Sequence, residues 1–236
     1  MTRIADRKTS IDYYQEKFSS DGLSDALSLY AWILKLLNPK PTETLLDVSC
    51  GEGWLNHFAE RYTRLSCGVD WARAALDRAS YNAPQSHFVL SDAERLPFPS
   101  NSFDFVVNLG SLEHYVDPVT GAREMARVLR KSGKACILVP NSYFILDIIF
   151  EVWLHGRGPT HNQPLERFGT RCEWQNLLEA SGFHVRQVLK YNARWPLSGQ
   201  DFRWYLRHRK RLLSLCCAPF IPLNLSYSFV FLCSKV

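Results

Sequence analysis

The sequence predicts an α/β fold built on a mostly parallel sheet, and three observations carry that prediction. Short apolar runs alternate with longer helix-like runs along the chain, and such alternation builds parallel strands joined by right-handed crossovers. The first apolar run, Thr44-Leu-Leu46, closes on Asp47-Val-Ser-Cys-Gly-Glu-Gly53 and opens into Trp54–Arg61, which reads as a strand, a tight glycine turn and a helix start. The second apolar run, Leu65–Val69, ends in Asp70. An acidic residue about 20 positions after a glycine turn, at a strand's C-terminal end, can accept hydrogen bonds from ribose hydroxyls.

The elements follow in order. Residues 1–40 read as a helical lead-in, in which Ser24 would cap a helix over Asp25–Leu37 that stops before Asn38-Pro39. Leu27, Leu29, Tyr30, Ile33, Leu34 and Leu37 give that helix one sheet-facing side. Upstream, Tyr13, Tyr14 and Phe18 lie in a short amphipathic stretch. After Asp70, Ala72–Ala79 reads as a helix for which Asp70 could also serve as N-cap. Ser86–Leu90 is the third expected strand, followed by Ser91-Asp92-Ala93, and Phe105–Leu109 is the fourth, stopped by Gly110. A helix over Arg123–Arg130, a turn at Lys131–Lys134 and a fifth strand Ala135–Pro140 come next. Residues 171–181 form a helix stopped by Gly182, and Phe183–Lys190 and Ser226–Cys233 complete the strands. Two connections exceed what this plan needs, Asn141–Phe168 and Ala193–Leu225. The first leaves the C-terminal end of a strand, where open α/β sheets bind ligands. Long excursions inside a compact domain usually have a function, and both are expected to act as lids that select a substrate.

The glycine turn narrows the ligand. Small residues let backbone approach a ligand closely, and the following helix N-terminus offers unpaired N–H groups and partial positive charge. The dinucleotide fingerprint wants glycine at three positions, but Ser49, Gly51 and Trp54 stand there. No Gly-Lys-Ser/Thr follows, so a P-loop fails too. The turn resembles motif I of the class I S-adenosylmethionine-dependent methyltransferases, D/E-x-G-x-G-x-G, with Asp47, Ser49, Gly51 and Gly53 at those places and serine for the first glycine. The stretch from Asp92 to Pro118, "DAERLPFPSNSFDFVVNLGSLEHYVDP", and the helix, turn and strand over 123–140 are similar to the small-molecule branch called type 11. The likeness covers 40–142 well and 166–192 in part.

That resemblance implies a single Rossmann-like methyltransferase domain over 1–236. It would have a seven-stranded, mostly parallel sheet with an antiparallel last strand beside strand five, helices on both faces, and helical lid insertions at 141–168 and 193–225. It implies S-adenosylmethionine as methyl donor and S-adenosylhomocysteine as product. Asp47, Ser49, Cys50, Gly51 and Gly53 would shape the methionine side, Asp70 and Trp71 the ribose and adenine, Asp92 and Ala93 the adenine, and Asn108, Leu109 and Gly110 the surroundings of the sulfonium. The stretch holding Tyr13, Tyr14 and Phe18 often closes over the cofactor in this family.

Composition sets bounds on partners. The 236 residues are 46% hydrophobic and 22% charged, with a net charge of +5, ordinary for a soluble globular protein. Seven scattered cysteines without a C-x-x-C pair suggest reduced thiols in a cytoplasmic setting and no metal. The N-terminal residues lack an apolar signal region. Nucleic acid is not expected, because the basic residues form one cluster and no known binding module appears.

Methyl transfer from a sulfonium is an in-line displacement that needs positioning and exclusion of water, and an oxygen or nitrogen acceptor also needs a base. Glu113 and His114 follow the fourth strand, where the family places groups near the transferred methyl. His114 is the first base candidate because imidazole titrates near neutrality. His161, in Gly158–Phe168, is a second, weakly resembling a loop of quinone-biosynthesis O-methyltransferases. A small-molecule or lipid-linked acceptor methylated at oxygen is therefore expected. The alternatives are C- or N-methylation of a natural product or quinone precursor, or a non-catalytic scaffold that binds the cofactor.

Two segments bear on membranes. Tyr143–Leu154 is apolar nearly all round as a helix, with Asp147 and Glu151 as its polar stripe, and is too short to span a bilayer. Arg203–Arg211 carries five Lys/Arg and two aromatics ahead of the apolar run Leu212–Leu223. Basic, aromatic and apolar residues together suit an anionic lipid surface, so peripheral contact at the inner face of a membrane through 143–154 and 203–223 is one expectation. A solvated basic helix face on a soluble enzyme is the other.

Overall fold

A computed structural model describes residues 6–160 and 162–236. His161, one of the base candidates, lies outside the described residues. Among these residues seven strands form one sheet: β1 Thr44–Val48, β2 Leu65–Asp70, β3 His87–Leu90, β4 Phe103–Leu109, β5 Leu129–Pro140, β6 Phe183–Tyr191 and β7 Ser228–Lys235. Their order is β3-β2-β1-β4-β5-β7-β6. β7 runs antiparallel between β5 and β6, and the other six strands are parallel to one another.

The sheet is buried on both faces, which is why its central strands read as continuous apolar runs. Successive side chains alternate between two cores. Leu45, Phe105, Val107, Cys136 and Leu138 face α2 (Leu27–Leu37) and α3 (Trp54–Ala59), where Leu29, Ile33 and Leu55 close the layer. Leu46, Val48, Val106, Ile137 and Val139 face the opposite way, onto Met125 of α5 (Pro118–Val128) and Trp174 and Leu178 of α7 (Arg171–Ala180). The Thr170 side chain and Glu173 form a reciprocal capping box on α7. Trp174 Nε1 donates to the Pro140 carbonyl at 2.9 Å, fixing α7 to the end of β5.

Three local expectations change. α2 begins at Leu27 rather than Asp25, and Ser24 does not cap it; the Asp25 carboxylate instead accepts from Ala26 N and from the Arg211 guanidinium. α5 starts at Pro118 rather than Arg123, because the Asp117 carboxylate accepts from Val119 N and Thr120 N and proline suits the first helical turn. The chain over 130–134 then runs extended as part of β5.

The two long connections carry helices. The first holds α6 (Ile145–Asp147), which continues as a π-helix over Ile148–Trp153. The second holds α8 (Gly199–Arg207) and α9 (Arg209–Cys217). The basic run over 203–211 is therefore not one cluster. It breaks at His208, and its last two members are engaged by acids of other segments. Arg211 pairs with Asp25 at 2.8 Å and lies 3.8 Å from the Tyr227 ring centroid, while Lys210 pairs with Glu151 of the π-helix. No helix among the described residues is long and apolar enough to cross a membrane.

Candidate active site

A cleft opens at the C-terminal ends of β1, β2 and β4, beneath α1 (Arg7–Ser20). Its floor is the turn after β1. Ser49, Gly51 and Gly53 all take positive φ, at 61°, 51° and 72°, the region glycine enters freely and serine does not. Gly51 lies under α1 so closely that a Cβ there would come within 3.3 Å of the Phe18 ring. Gly51 N donates to Asp70 Oδ2 at 3.0 Å, and Asp70 Oδ1 accepts from Ala72 N at 2.9 Å. Asp70 therefore joins the glycine turn to the end of β2 without capping α4 (Arg73–Asn82), whose N-cap is Ala72.

Ten of the twelve residues expected at the cofactor line this cleft: Asp47, Ser49, Cys50, Gly51, Asp70, Trp71, Asp92, Ala93, Leu109 and Gly110. Gly53 and Asn108 lie behind its wall. A Cβ on Gly53 would sit 2.8 Å from Ala79 Cβ, so this glycine permits close packing of α4. Asn108 is buried, donates from Nδ2 to the Val48 carbonyl and to Tyr115 Oη, and accepts from Leu112 N. Tyr115 Oη in turn pairs with Ser49 Oγ at 2.8 Å. Since Asn108 Nδ2 can only donate, the Tyr115 proton is left for Ser49. Serine at the first glycine position is thus held by a tyrosine that sequence reasoning did not single out.

Tyr14, Phe18, Leu23 and Tyr30 form the upper wall together with Gln163. Tyr14 Oη donates to Gln163 Oε1 at 2.6 Å, tying α1 to the 141–168 connection across the cleft. The other end of α1 is held by Arg78, which pairs with Glu52 at 2.6 Å and donates to the Ser20 carbonyl. At the rim Arg7 pairs with Asp92 at 2.9 Å and Glu94 at 2.5 Å.

The electrostatics are one-sided. Asp47, Glu52, Asp70 and Asp92 line the cleft, and no Lys or Arg does among the described residues. Glu52 and Asp92 are neutralised by Arg78 and Arg7. Asp47 and Asp70 are not. Burial and the neighbouring Asp70 push the Asp47 carboxyl well above the usual range, and burial pushes Asp70 up to about 6. Two buried carboxyls without a counter-ion suit a cationic ligand and oppose a pyrophosphate.

His114 lines the cleft, and Glu113 lies buried beside it, with its Oε1 3.8 Å from His114 Nε2. His114 Nδ1 bonds the Leu165 carbonyl, so Nδ1 carries the proton and Nε2 is the basic nitrogen when the ring is neutral. Glu113 Oε2 is buried without a hydrogen-bond partner, and burial pushes this carboxyl up to about 8.

A family model described as a methyltransferase domain matches residues 46–137, the span that builds this cleft from β1 to β5. Residues 46–137 form a class I S-adenosylmethionine-dependent methyltransferase domain. Relatives agree with that assignment. The chain is 25% identical over 185 residues to an uncharacterized methyltransferase, YcgJ, of Bacillus subtilis, covering 76% of this chain and 70% of that protein. It is 38% identical over 131 residues to the chloroplastic 2-methyl-6-phytyl-1,4-hydroquinone methyltransferase of Spinacia oleracea, covering 54% of this chain but only 35% of that one. Among solved structures, a chain in the complex between the Haloferax volcanii Trm112 methyltransferase activator and a methyltransferase superposes with a TM-score of 0.66 at 15% identity. The match covers 96% of both chains and shares the fold. S-adenosylmethionine is the methyl donor of this methyltransferase, and its sulfonium and ammonium charges fit the uncompensated carboxyls of the cleft. Among the described residues no cluster of side chains could hold a metal ion.

Proposed function

We propose that this methyltransferase methylates a hydroxyl of a small or lipid-linked aromatic acceptor. The observation that carries the reading is the juxtaposition of the acidic cleft floor with His114 and Glu113 at its edge. The bound cofactor supplies an activated methyl group on a cationic sulfur. Asp47 and Asp70 answer its positive charge, and Asp70 retains lone pairs for the ribose hydroxyls after serving Gly51 and Ala72. Ser49 would offer its hydroxyl proton to the cofactor; Trp71, Asp92 and Ala93 would hold the adenine, and Leu109 and Gly110 would lie on the sulfonium side. Tyr14 and Phe18 exclude water from above.

The acceptor enters beneath the lids 141–168 and 193–225. His114 takes the acceptor's proton, and Glu113 stabilises the charge that the imidazole then carries. Lipid linkage is supported by the hydroquinone methyltransferase named among the relatives. That name also keeps carbon methylation of a quinone precursor as the second reading.

Incubation with methyl-13C cofactor and a panel of phenols and prenylated hydroquinones tests this, with NMR assignment of the new bond. A methoxy carbon is the expected product, and a ring-methyl carbon would move the assignment to the second reading. Binding of S-adenosylhomocysteine without turnover on the panel would favour a cofactor-binding scaffold.

A further inference from the structure

Both lid connections leave the sheet at the edge where the cleft opens, after β5 and after β6. Each presents large apolar side chains to solvent. Trp153 and Leu154, at the end of the π-helix, are 77% and 56% exposed. Phe202 and Leu206, four residues apart on α8, are 52% and 51% exposed, so they share one side of that helix. Trp195, in the approach to α8, is 73% exposed. Monomeric proteins seldom concentrate such side chains in one region without a partner.

Asp147 and Glu151 beside Trp153 are paired with Lys210 and Arg157, and the exposed charges left without a salt bridge on α8 and α9 have one sign. Arg203, Arg207 and Arg209 are exposed. Among the described residues no ion pair engages any of the three, whereas Lys210 pairs with Asp147 and Glu151, and Arg211 with Asp25. Asp201, the one acid of α8, is buried and accepts from Leu197 N, and no Asp or Glu follows it in the sequence, so no exposed acid of these helices offsets the arginines. The Lys210–Glu151 pair fastens α9 to the π-helix, which brings the Trp153–Leu154 tip and the α8 arginines into one assembly. The 141–168 connection then continues to Leu165 and Gln163, which touch His114 and Tyr14 at the cleft.

We infer that the π-helix tip and the α8–α9 hairpin form a docking face for an anionic phospholipid bilayer. Aromatic and leucine side chains enter the interfacial layer while Arg203, Arg207 and Arg209 meet lipid phosphates. Charge complementarity selects this occupant: a second copy of the chain would set the same three arginines against themselves. The face deepens the reading of a lipid-linked acceptor, since a substrate carried in the docked leaflet would lie beside the lids, and it rests on that reading only for this consequence.

Vesicle co-sedimentation tests the face directly. Vesicles of phosphatidylcholine alone and of equal phosphatidylcholine and phosphatidylglycerol would be compared in low and high salt. Binding should require phosphatidylglycerol and weaken with salt. It should fall on the order of a hundredfold in Arg203→Ala/Arg207→Ala/Arg209→Ala, the cumulative effect of three arginines near an anionic surface. Phe202→Ala/Leu206→Ala should weaken it independently. Unchanged melting temperature and unchanged S-adenosylhomocysteine binding in both variants would show that the fold and cofactor site are intact, which separates failure of this face from failure of the proposed reaction. Equal binding to the two vesicle types, no binding, or binding indifferent to both variants would overturn the inference. A dimer in solution that dissolves in Phe202→Ala/Leu206→Ala would also overturn it.

Discussion

Asp70 Oδ2 accepts from Gly51 N at 3.0 Å, so the carboxylate at the end of β2 holds the glycine turn at the end of β1 in its ligand-ready shape. Two roles meet in one side chain, the backbone clamp and the proposed acceptor for the cofactor. Burial raises its pKa to about 6, which places its titration inside the working range. Cofactor affinity should therefore fall as pH drops through 6, about tenfold at pH 5 relative to pH 7.5 if the charged form is the one that binds. Asp70→Asn should flatten this profile and weaken binding throughout. Calorimetric titration with S-adenosylhomocysteine at several pH values checks it, and a wild-type affinity independent of pH would remove the charge from the argument.

Asp47 should show the opposite balance between stability and function. Its carboxyl is buried near Asp70 and pushed upward. A raised carboxyl pKa contributes stability below its unfolded value, and that contribution is lost as pH rises. Asp47→Asn should raise the melting temperature of the cofactor-free protein at pH 8 by a few degrees. It should also shrink the further rise that S-adenosylmethionine gives. A thermal melt with and without ligand reads both effects.

The Ser49–Tyr115–Asn108 network separates strain from hydrogen bonding. Ser49 sits at φ 61°, a conformation serine adopts at some cost. Tyr115→Phe leaves one proton of the buried Asn108 amide unpaired and removes the bond to Ser49 Oγ, and it should destabilise by about 1–2 kcal/mol. Ser49→Gly loses one hydrogen bond but relieves the backbone, so it should be nearly neutral, while Ser49→Ala keeps the strain and should cost about 1 kcal/mol. Urea titration of the three variants ranks them.

What the sequence made legible follows the range of the interactions. The turn Asp47–Gly53 and the acid at Asp70 could be read because positive φ, close backbone approach and a strand end are local requirements. The sheet was legible because both faces are buried, which leaves unbroken apolar runs. Tyr115, Gln163 and Arg211 were not singled out for the contacts they make, since their partners Ser49, Tyr14 and Asp25 lie 66, 149 and 186 positions away. The basic run over 203–211 misled for the same reason: nothing near Arg211 in sequence announces that Asp25 will bury it.

That inward turn gives a contrast between neighbours. Arg211 is largely enclosed, bonded to Asp25 at 2.8 Å and to the Asn192 carbonyl at 3.2 Å. Arg211→Met would leave the Asp25 carboxylate without its cation and should cost about 3–5 kcal/mol. Arg209→Ala, two residues earlier and exposed, should change stability by no more than about 0.5 kcal/mol. Equal denaturation midpoints would contradict the enclosure of Arg211. Charge reversal across 209–211 is accordingly a poor probe of surface electrostatics, because its third member would unfold the lid.

Glu113 supplies a pH signature of its own. Its folded pKa is raised from 4.5 to about 8, chiefly by burial. As a carboxyl with a raised pKa it contributes stability that is fully present below about pH 4.5 and lost as pH rises through 8. Glu113→Gln cannot ionise, so it should match wild type near pH 5 and exceed it at pH 9, by roughly 3–5 kcal/mol if the full shift is expressed. If Glu113 also supports His114 in catalysis, the same variant should lower kcat and flatten its alkaline limb while leaving cofactor affinity alone. Paired chemical-denaturation and rate profiles from pH 5 to 9 separate the two roles. A variant that gains alkaline stability with an unaltered rate profile would leave Glu113 a buried structural acid and return the proton transfer to His114 alone.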